Sequence, residues 1–289
     1  MRKLFLLYIP LVLFSACKLD KPEQIPGFIK IDSLVTDLNT ETQGSNSNNF
    51  TEAWVSIDGQ QVGIFDIPAL FPTLEVGTRT ILIRPGIKRN GAAAARVDHP
   101  HFENFELGNQ KISIGDTLTI NPVFKLRSGI KAWFEDFEDA GFKLNNSANN
   151  DTDMVRLEND PNVFEGRASG YVFLADESKK FSVSTSENFN FRIGTPVYFE
   201  LDYKIDGFLK VSLVVHTTGS PDITRTVLFI VPKKDASGNS IYNKIYVSLS
   251  EIISLEANAT SFDIKLEGIN NTGQTNASYY IDNLKVLYP

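Results

Sequence analysis

The chain has 289 residues, a net charge of −7, and apolar and charged fractions of 42% and 22%, the composition of a globular protein able to bury one large or two ordinary cores. The acidic balance argues against a surface built for nucleic acid or anionic lipid. With one cysteine, Cys17, the chain closes no internal disulfide, so packed cores must carry its stability. Aromatic and β-branched residues are abundant and Gly and Pro fall between the apolar runs, the chemistry of a β-protein.

In chain order, Met1-Arg2-Lys3 supplies a positive start, an apolar run of about 11 residues follows, and Ser15-Ala16 precedes Cys17. This is the layout of a secretory signal peptide, too short to span a bilayer. Residues 1–16 are read as that signal and the charged, proline-containing stretch 17–25 as a tether. Gly27 to Leu38 reads as a first strand of imperfect alternation, and Thr40 to Asn49 as a polar loop. Trp54 to Ile57, the turn Asp58-Gly59 and Val62 to Phe65 predict a hairpin, because Asp-Gly supplies the positive φ of a tight turn. Further strands are expected at 79–84, 111–114 and 117–120, giving a small immunoglobulin-like β-sandwich over 26–127. Residues 83–105, with cations, alanines and aromatics, form a long connection for so small a sandwich. That segment is expected either to dock a partner protein, such as an outer-membrane barrel, or to stand as a mobile loop.

Alternation breaks over 122–130, which places a boundary near residue 127. Beyond it, runs at 154–157, 169–174, 181–185, 197–204, 209–217, 224–231, 244–249, 261–267 and 279–287 read as strands with no helices between them. The one helical candidate is a turn or two within 247–255. In Leu209 to His216 and Phe262 to Glu267, apolar residues fall on one face and polar ones on the other. The fold class is therefore all-β: the small sandwich, then a larger antiparallel β jelly roll over 128–289.

Catalytic frames are sparse. The sequence contains no Gly-x-Ser-x-Gly elbow, no His-Glu-x-x-His and no Gly-rich phosphate loop. His99 and His101 could bring two imidazoles to one metal, but further ligands at definable spacing are missing, and a polar loop stiffened by Pro100 is the simpler reading. His216, at the end of an alternating strand, reads as a rim residue. The acidic cluster Glu135, Asp136, Glu138 and Asp139 is where a glycosidase pair would be sought. Sugar binding would use exposed aromatics with polar neighbours. Candidates are Tyr171, Tyr198, Tyr203, Tyr242, Tyr246 and Arg167, whereas Trp54 and Trp133 read as buried. The pattern singles out no platform among them, and ligand-binding residues stay unassigned.

Ser15-Ala16-Cys17 resembles a bacterial lipobox, Phe14 departing from its usual aliphatic; the resemblance implies lipidation of Cys17, the mature N-terminus. Phe134-Glu-Asp-Phe-Glu138, the strand around 166–174 and Tyr280-Ile-Asp-Asn-Leu-Lys-Val286 resemble the galactose-binding-like jelly rolls of carbohydrate-binding modules. That resemblance implies glycan binding and a structural calcium held by Glu138 and Asp282. The alternative is a turn or bulge at Asp282-Asn283 and a solvated acidic cluster. Val55 to Gln60 and Thr80 to Ile83 are similar to small extracellular sandwich repeats. Taken whole, the chain resembles outer-membrane lipoproteins of the Bacteroidota. Lys18-Leu-Asp20 is loosely similar to their surface-export signal, and Asp32-Ser33-Leu34 and Asp116-Thr117-Leu118 match their O-glycosylation pattern at Ser33 and Thr117. The expectation is a non-catalytic, lipid-anchored surface module that binds glycan or mediates adhesion through the jelly roll. The alternative is an accessory subunit of an outer-membrane assembly or transport complex, with a glycoside hydrolase behind both.

Overall fold

The computed structural model describes residues 23–175, 179–270 and 276–289. The signal segment, Cys17 and the export-signal residues Lys18 to Asp20 lie outside the described residues, as does most of the asparagine-rich stretch after Asn270.

The protein is all-β and consists of two β-sandwiches. The first contains β1 (Gly27–Ile31), β2 (Val35–Thr36), β3 (Glu52–Ile57), β4 (Gln60–Asp66), β5 (Ala69–Thr73), β6 (Gly77–Lys88), β7 (Arg96–Asp98), β8 (Phe105–Ile112), β9 (Thr117–Ile120) and β10 (Val123–Phe124), with one helical turn, α1 (Thr40–Gln43). One sheet has the order β4-β3-β6-β7, with β8 also on β6, and faces a small sheet β5-β1-β9. Ala53, Val55, Ile57, Ile81 and Ile83 from one side meet Ile29, Ile31 and Phe71 from the other. The expected hairpin is β3–β4, and Asp58 and Gly59 take φ of 48° and 80°, as a two-residue turn matching the strand twist requires.

Four sequence expectations change in this half. The strand expected at 111–114 is only the end of β8, which runs Phe105–Ile112. The strand expected over 27–38 is two strands, β1 and β2, with a break at 32–34. The stretch 69–73 is a strand that was not expected, because Pro68 and Pro72 mask its alternation; β5 is an edge strand, where proline removes no ladder bond the sheet needs. Residues 83–105 are not a free connection: β6 runs to Lys88, and β7 pairs with it through Gly86↔Asp98 and Lys88↔Arg96.

The second sandwich is built from β11 (Lys131–Glu135), β12 (Leu144–Asn146), β13 (Val155–Glu158), β14 (Ala168–Leu174), β15 (Lys180–Thr185), β16 (Tyr198–Ile205), β17 (Phe208–Thr217), β18 (Ser220–Ile230), β19 (Asn243–Ser248), β20 (Ser261–Ile269) and β21 (Ala277–Tyr288), with helix α2 (Ser250–Leu255). Its six-stranded sheet has the order β13-β14-β21-β16-β19 with β11 beside β21; its five-stranded sheet has the order β12-β15-β20-β17-β18. Leu209, Val211, Leu213 and Val215 of β17 and Phe262, Ile264 and Leu266 of β20 face the six-stranded sheet and are 3% exposed or less. Gly268 lets the sheets close up, since a Cβ there would lie 2.3 Å from Phe181 and 2.9 Å from Tyr279.

Among the described residues no sheet shares strands between the two sandwiches, yet the first packs on the outer face of the six-stranded sheet. Tyr198, Tyr246 and Leu287 belong to the apolar cluster of the first sandwich. The segment after β6 makes much of this contact: Asn90 N–H donates to the Tyr246 carbonyl at 2.8 Å, and Asn90 Oδ1 accepts from Ser248 N. Asn90, His99 and His101 of the 83–105 segment thus contact the chain's own second half.

Candidate functional site

Two polar regions of the second sandwich repay a residue-by-residue account, one on each sheet. On the five-stranded sheet, strand alternation that sends Leu209, Val211 and Leu213 inward sends Phe208, Lys210 and Ser212 outward. The same rule sends Lys265, Glu267 and Ile269 of β20 and Lys180 and Ser182 of β15 to that face. A cleft of about 420 Å³ runs across all of these but Ser212, walled by Ser147, Asn149 and Asn150 and by Phe229 of β18. Phe208 and Phe229 are 42% and 62% exposed, high for residues of their size. On the same face Glu267 bonds two ammonium groups, Lys210 Nζ at 2.6 Å and Lys265 Nζ at 3.0 Å. Burial opposes its ionisation, but the two lysines outweigh burial and hold the carboxyl below its ordinary value. The Ser182 hydroxyl is buried here without a hydrogen-bond partner among the described residues. Asn150 fixes the wall, its side chain accepting from Ser182 N at 2.7 Å and donating to the Ser182 carbonyl at 3.1 Å.

Further along the same face His216 lies between Asp222 and Asp263, its ring nitrogens 2.9 Å from an oxygen of each. Burial disfavours charge on the ring, yet the two carboxylates outweigh it and raise the pKa. It is a half-buried rim residue, as read from sequence, and no nucleophile stands in this group.

The second region is where the sandwiches meet. His99 and His101 are 1% and 0% exposed, not residues of an open polar loop as their sequence context implied, because the loop lies under the second sandwich. His99 Nε2 is 3.2 Å from Glu200 Oε1, and His101 Nε2 is 3.0 Å from the Pro196 carbonyl. Burial and the neighbouring His99 lower the pKa of His101 to about 4. Lys244 lies 3.4 Å from Asp202 and 3.8 Å from Glu200. Lys285 donates to the Ser45 carbonyl at 2.7 Å, and burial brings its pKa down to about 8. Burial also opposes the charge on Glu200, but His99 and Lys244 hold its carboxyl at about 2. The two imidazoles are thus committed to interface contacts, and among the described residues no group of three or more His, Cys, Asp or Glu could hold a metal ion.

The acidic cluster serves the chain's own turn. Glu135 is buried and accepts from the backbone N–H groups of Phe137 and Lys143, and burial raises its pKa; Asp136 accepts from Glu138 N. Glu138 accepts from Arg167 N at 2.8 Å and Ala168 N at 3.1 Å. Asp282 accepts from Ser169 Oγ at 2.8 Å and from Asn283 N at 2.8 Å. The carbonyls of Phe137 and Glu138, the oxygens a calcium would need, accept from the Arg156 guanidinium, and Arg167 adds a donor to the latter. The donor set does not fit calcium: guanidinium already supplies the positive charge, and the two carboxylates are committed to N–H and O–H donors. Asn283 instead has φ 47° at a ladder irregularity, the bulge that was the alternative reading.

Of the aromatic candidates, Tyr198, Tyr203 and Tyr246 are buried, Tyr242 is half-buried with its hydroxyl on the Asn162 carbonyl, and Arg167 is exposed. Tyr171 stays half-exposed beside Tyr280, ring centroids 4.8 Å apart. Trp133 is buried as expected; Trp54 is only half-buried, with Arg84 over its ring at 5.6 Å. Ser33 and Thr117 are exposed. The residues sequence reasoning missed are Phe208, Phe229, Lys210, Lys265 and Glu267. The signal for Lys210, Lys265 and Glu267 was the polar phase of two alternating strands, which carries no mark of being adjacent in space, and nothing in the pattern marked Phe208 and Phe229 as exposed.

No protein-family profile matches the sequence, and no curated protein matches it. Among solved structures, the chain is similar to the xylan-binding domain of a family 22 carbohydrate-binding module at 14% identity, covering 54% of this chain and 93% of that one with a TM-score of 0.38. It is similar to a carbohydrate-binding module of the β-sandwich superfamily at 13% identity over 91% of this chain and 98% of that one, TM-score 0.41. It is also similar to an adhesin domain of Lys-gingipain from Porphyromonas gingivalis, at 12% identity over 55% and 99%, TM-score 0.38.

Proposed function

We propose that the protein is a non-catalytic glycan-binding module that takes a polysaccharide along the cleft of its five-stranded sheet. One observation carries this reading: an open cleft flanked by exposed Phe208 and Phe229 over a floor of lysine, glutamate and the Ser182 hydroxyl, which has no hydrogen-bond partner among the described residues. Apolar ring faces of a sugar pack on aromatic rings, and its hydroxyls seek such donors and acceptors. Lipidation at Cys17, display at the outer membrane and glycosylation at Ser33 and Thr117 complete the proposal and rest on sequence alone. The test is affinity electrophoresis and titration calorimetry against a polysaccharide panel. Phe208→Ala and Phe229→Ala each weaken binding about tenfold while leaving the melting curve in place, since both rings are exposed. A panel with no binder retires the reading.

A second reading, an accessory subunit of an outer-membrane complex, draws on the apolar strip of Val155 and Phe173, 51% and 39% exposed, on the other sheet. Recovery from native membranes solely as a free monomer removes it.

A further inference from the structure

The cleft is cationic in an acidic chain. Among the described residues, Lys180, Lys210 and Lys265 line it against the one carboxylate of Glu267, a local positive excess where the whole molecule carries −7. Glu267 pins Lys210 and Lys265 through its two separate oxygens. An ammonium has three donors and no acceptor, so each lysine keeps N–H groups for a ligand. Asp151, the carboxylate next to Lys180, is occupied by the Lys180 backbone N–H and by Lys179 and does not line the cleft.

The Lys210 and Lys265 side chains are only 29% and 27% exposed before any ligand arrives. A neutral sugar laid over them would remove the remaining water and leave the excess charge uncompensated, which is costly. An anionic sugar supplies the missing partners. We propose that the cleft selects an anionic polysaccharide, with Lys180, Lys210 and Lys265 on its ring carboxylates or sulfate esters while Phe208 and Phe229 pack on ring faces. This inference rests on the glycan-binding reading above.

Titration of the purified chain with polygalacturonate, carboxyl-reduced polygalacturonate, dextran sulfate and neutral dextran separates the cases. Binding of polygalacturonate alone assigns ring carboxylates, and binding of dextran sulfate alone assigns sulfate esters. In either case the reduced or neutral partner binds at least about tenfold more weakly, and raising salt from about 50 to about 500 mM weakens the anionic complex by a similar factor. Lys180→Gln with Lys210→Gln lowers affinity for the anionic polymer about tenfold, and Glu267→Gln does not lower it. Equal or tighter binding of the neutral polymers, or anion binding unmoved by the lysine substitutions, overturns the anionic selection and leaves the glycan reading standing. No binding to these or to the wider neutral panel overturns both.

Discussion

Asp282 shows what one buried carboxyl does when its neighbours are donors and another acid. Facing Asp202 across the ladder and 1% exposed, it is pushed up to about 7, chiefly by burial, against a partial offset from Ser169 and two backbone N–H groups. Unfolded, it releases its proton near its ordinary value of 3.8. Between those pH values the folded chain holds the extra proton, so the residue's contribution to stability falls as pH rises from about 4 to about 7 and is level above. Asp282→Asn removes that slope. The stability of the variant relative to the parent should therefore rise from pH 5 to pH 8, by as much as about 2.7 kcal/mol, in urea titrations. His101 slopes the opposite way over part of this range but is common to both proteins and cancels in the difference. A flat or shrinking gap would show that Asp282 is ionised throughout. At this scale the sequence misleads in one respect. Glu200, Asp202, Lys244 and Lys285 sit in alternating strands where charge reads as a wet face, and alternation cannot report that another sandwich covers that face.

At the scale of elements, the strands whose two faces differ were legible. β17 and β20 lie within a residue or two of their predicted spans because leucine, valine and isoleucine alternate there with lysine, serine and glutamate. The floor of the cleft was legible as a polar phase in each, though not as one surface, because strand order follows from long-range pairing. β5 and β7 were hidden, the first by its prolines and the second by its brevity. Close approach between sheets is likewise set by tertiary contact: Gly268→Ala would drive a methyl group into Phe181 and Tyr279. A loss of about 1–3 kcal/mol is expected for such overpacking, visible as a lowered urea midpoint, and an unchanged midpoint would mean that the sheets can part without cost.

For the whole molecule, the contact between sandwiches matters more than the short connection near residue 127. Glu200, Lys285 and His99 are each 3% exposed or less, and separating the halves would part Glu200 from His99 and the Lys285 ammonium from the Ser45 carbonyl. Calorimetry should therefore record one cooperative transition for the described body; two well-separated transitions would show that the halves hold together only weakly. The first sandwich was expected to offer its 83–105 segment to a partner, and the fold instead uses that segment internally, leaving the cleft on the sheet facing the other way.

The placement of β1 has a mechanical consequence. This first strand is the middle one of its sheet, bonded antiparallel to β5 and parallel to β9 along most of its length. Tension applied to the chain ahead of Gly27 runs along the strand axis, across the direction of both ladders. The bonds are loaded together in shear, not peeled one after another, so the strand that opens the described body is arranged to bear a pull.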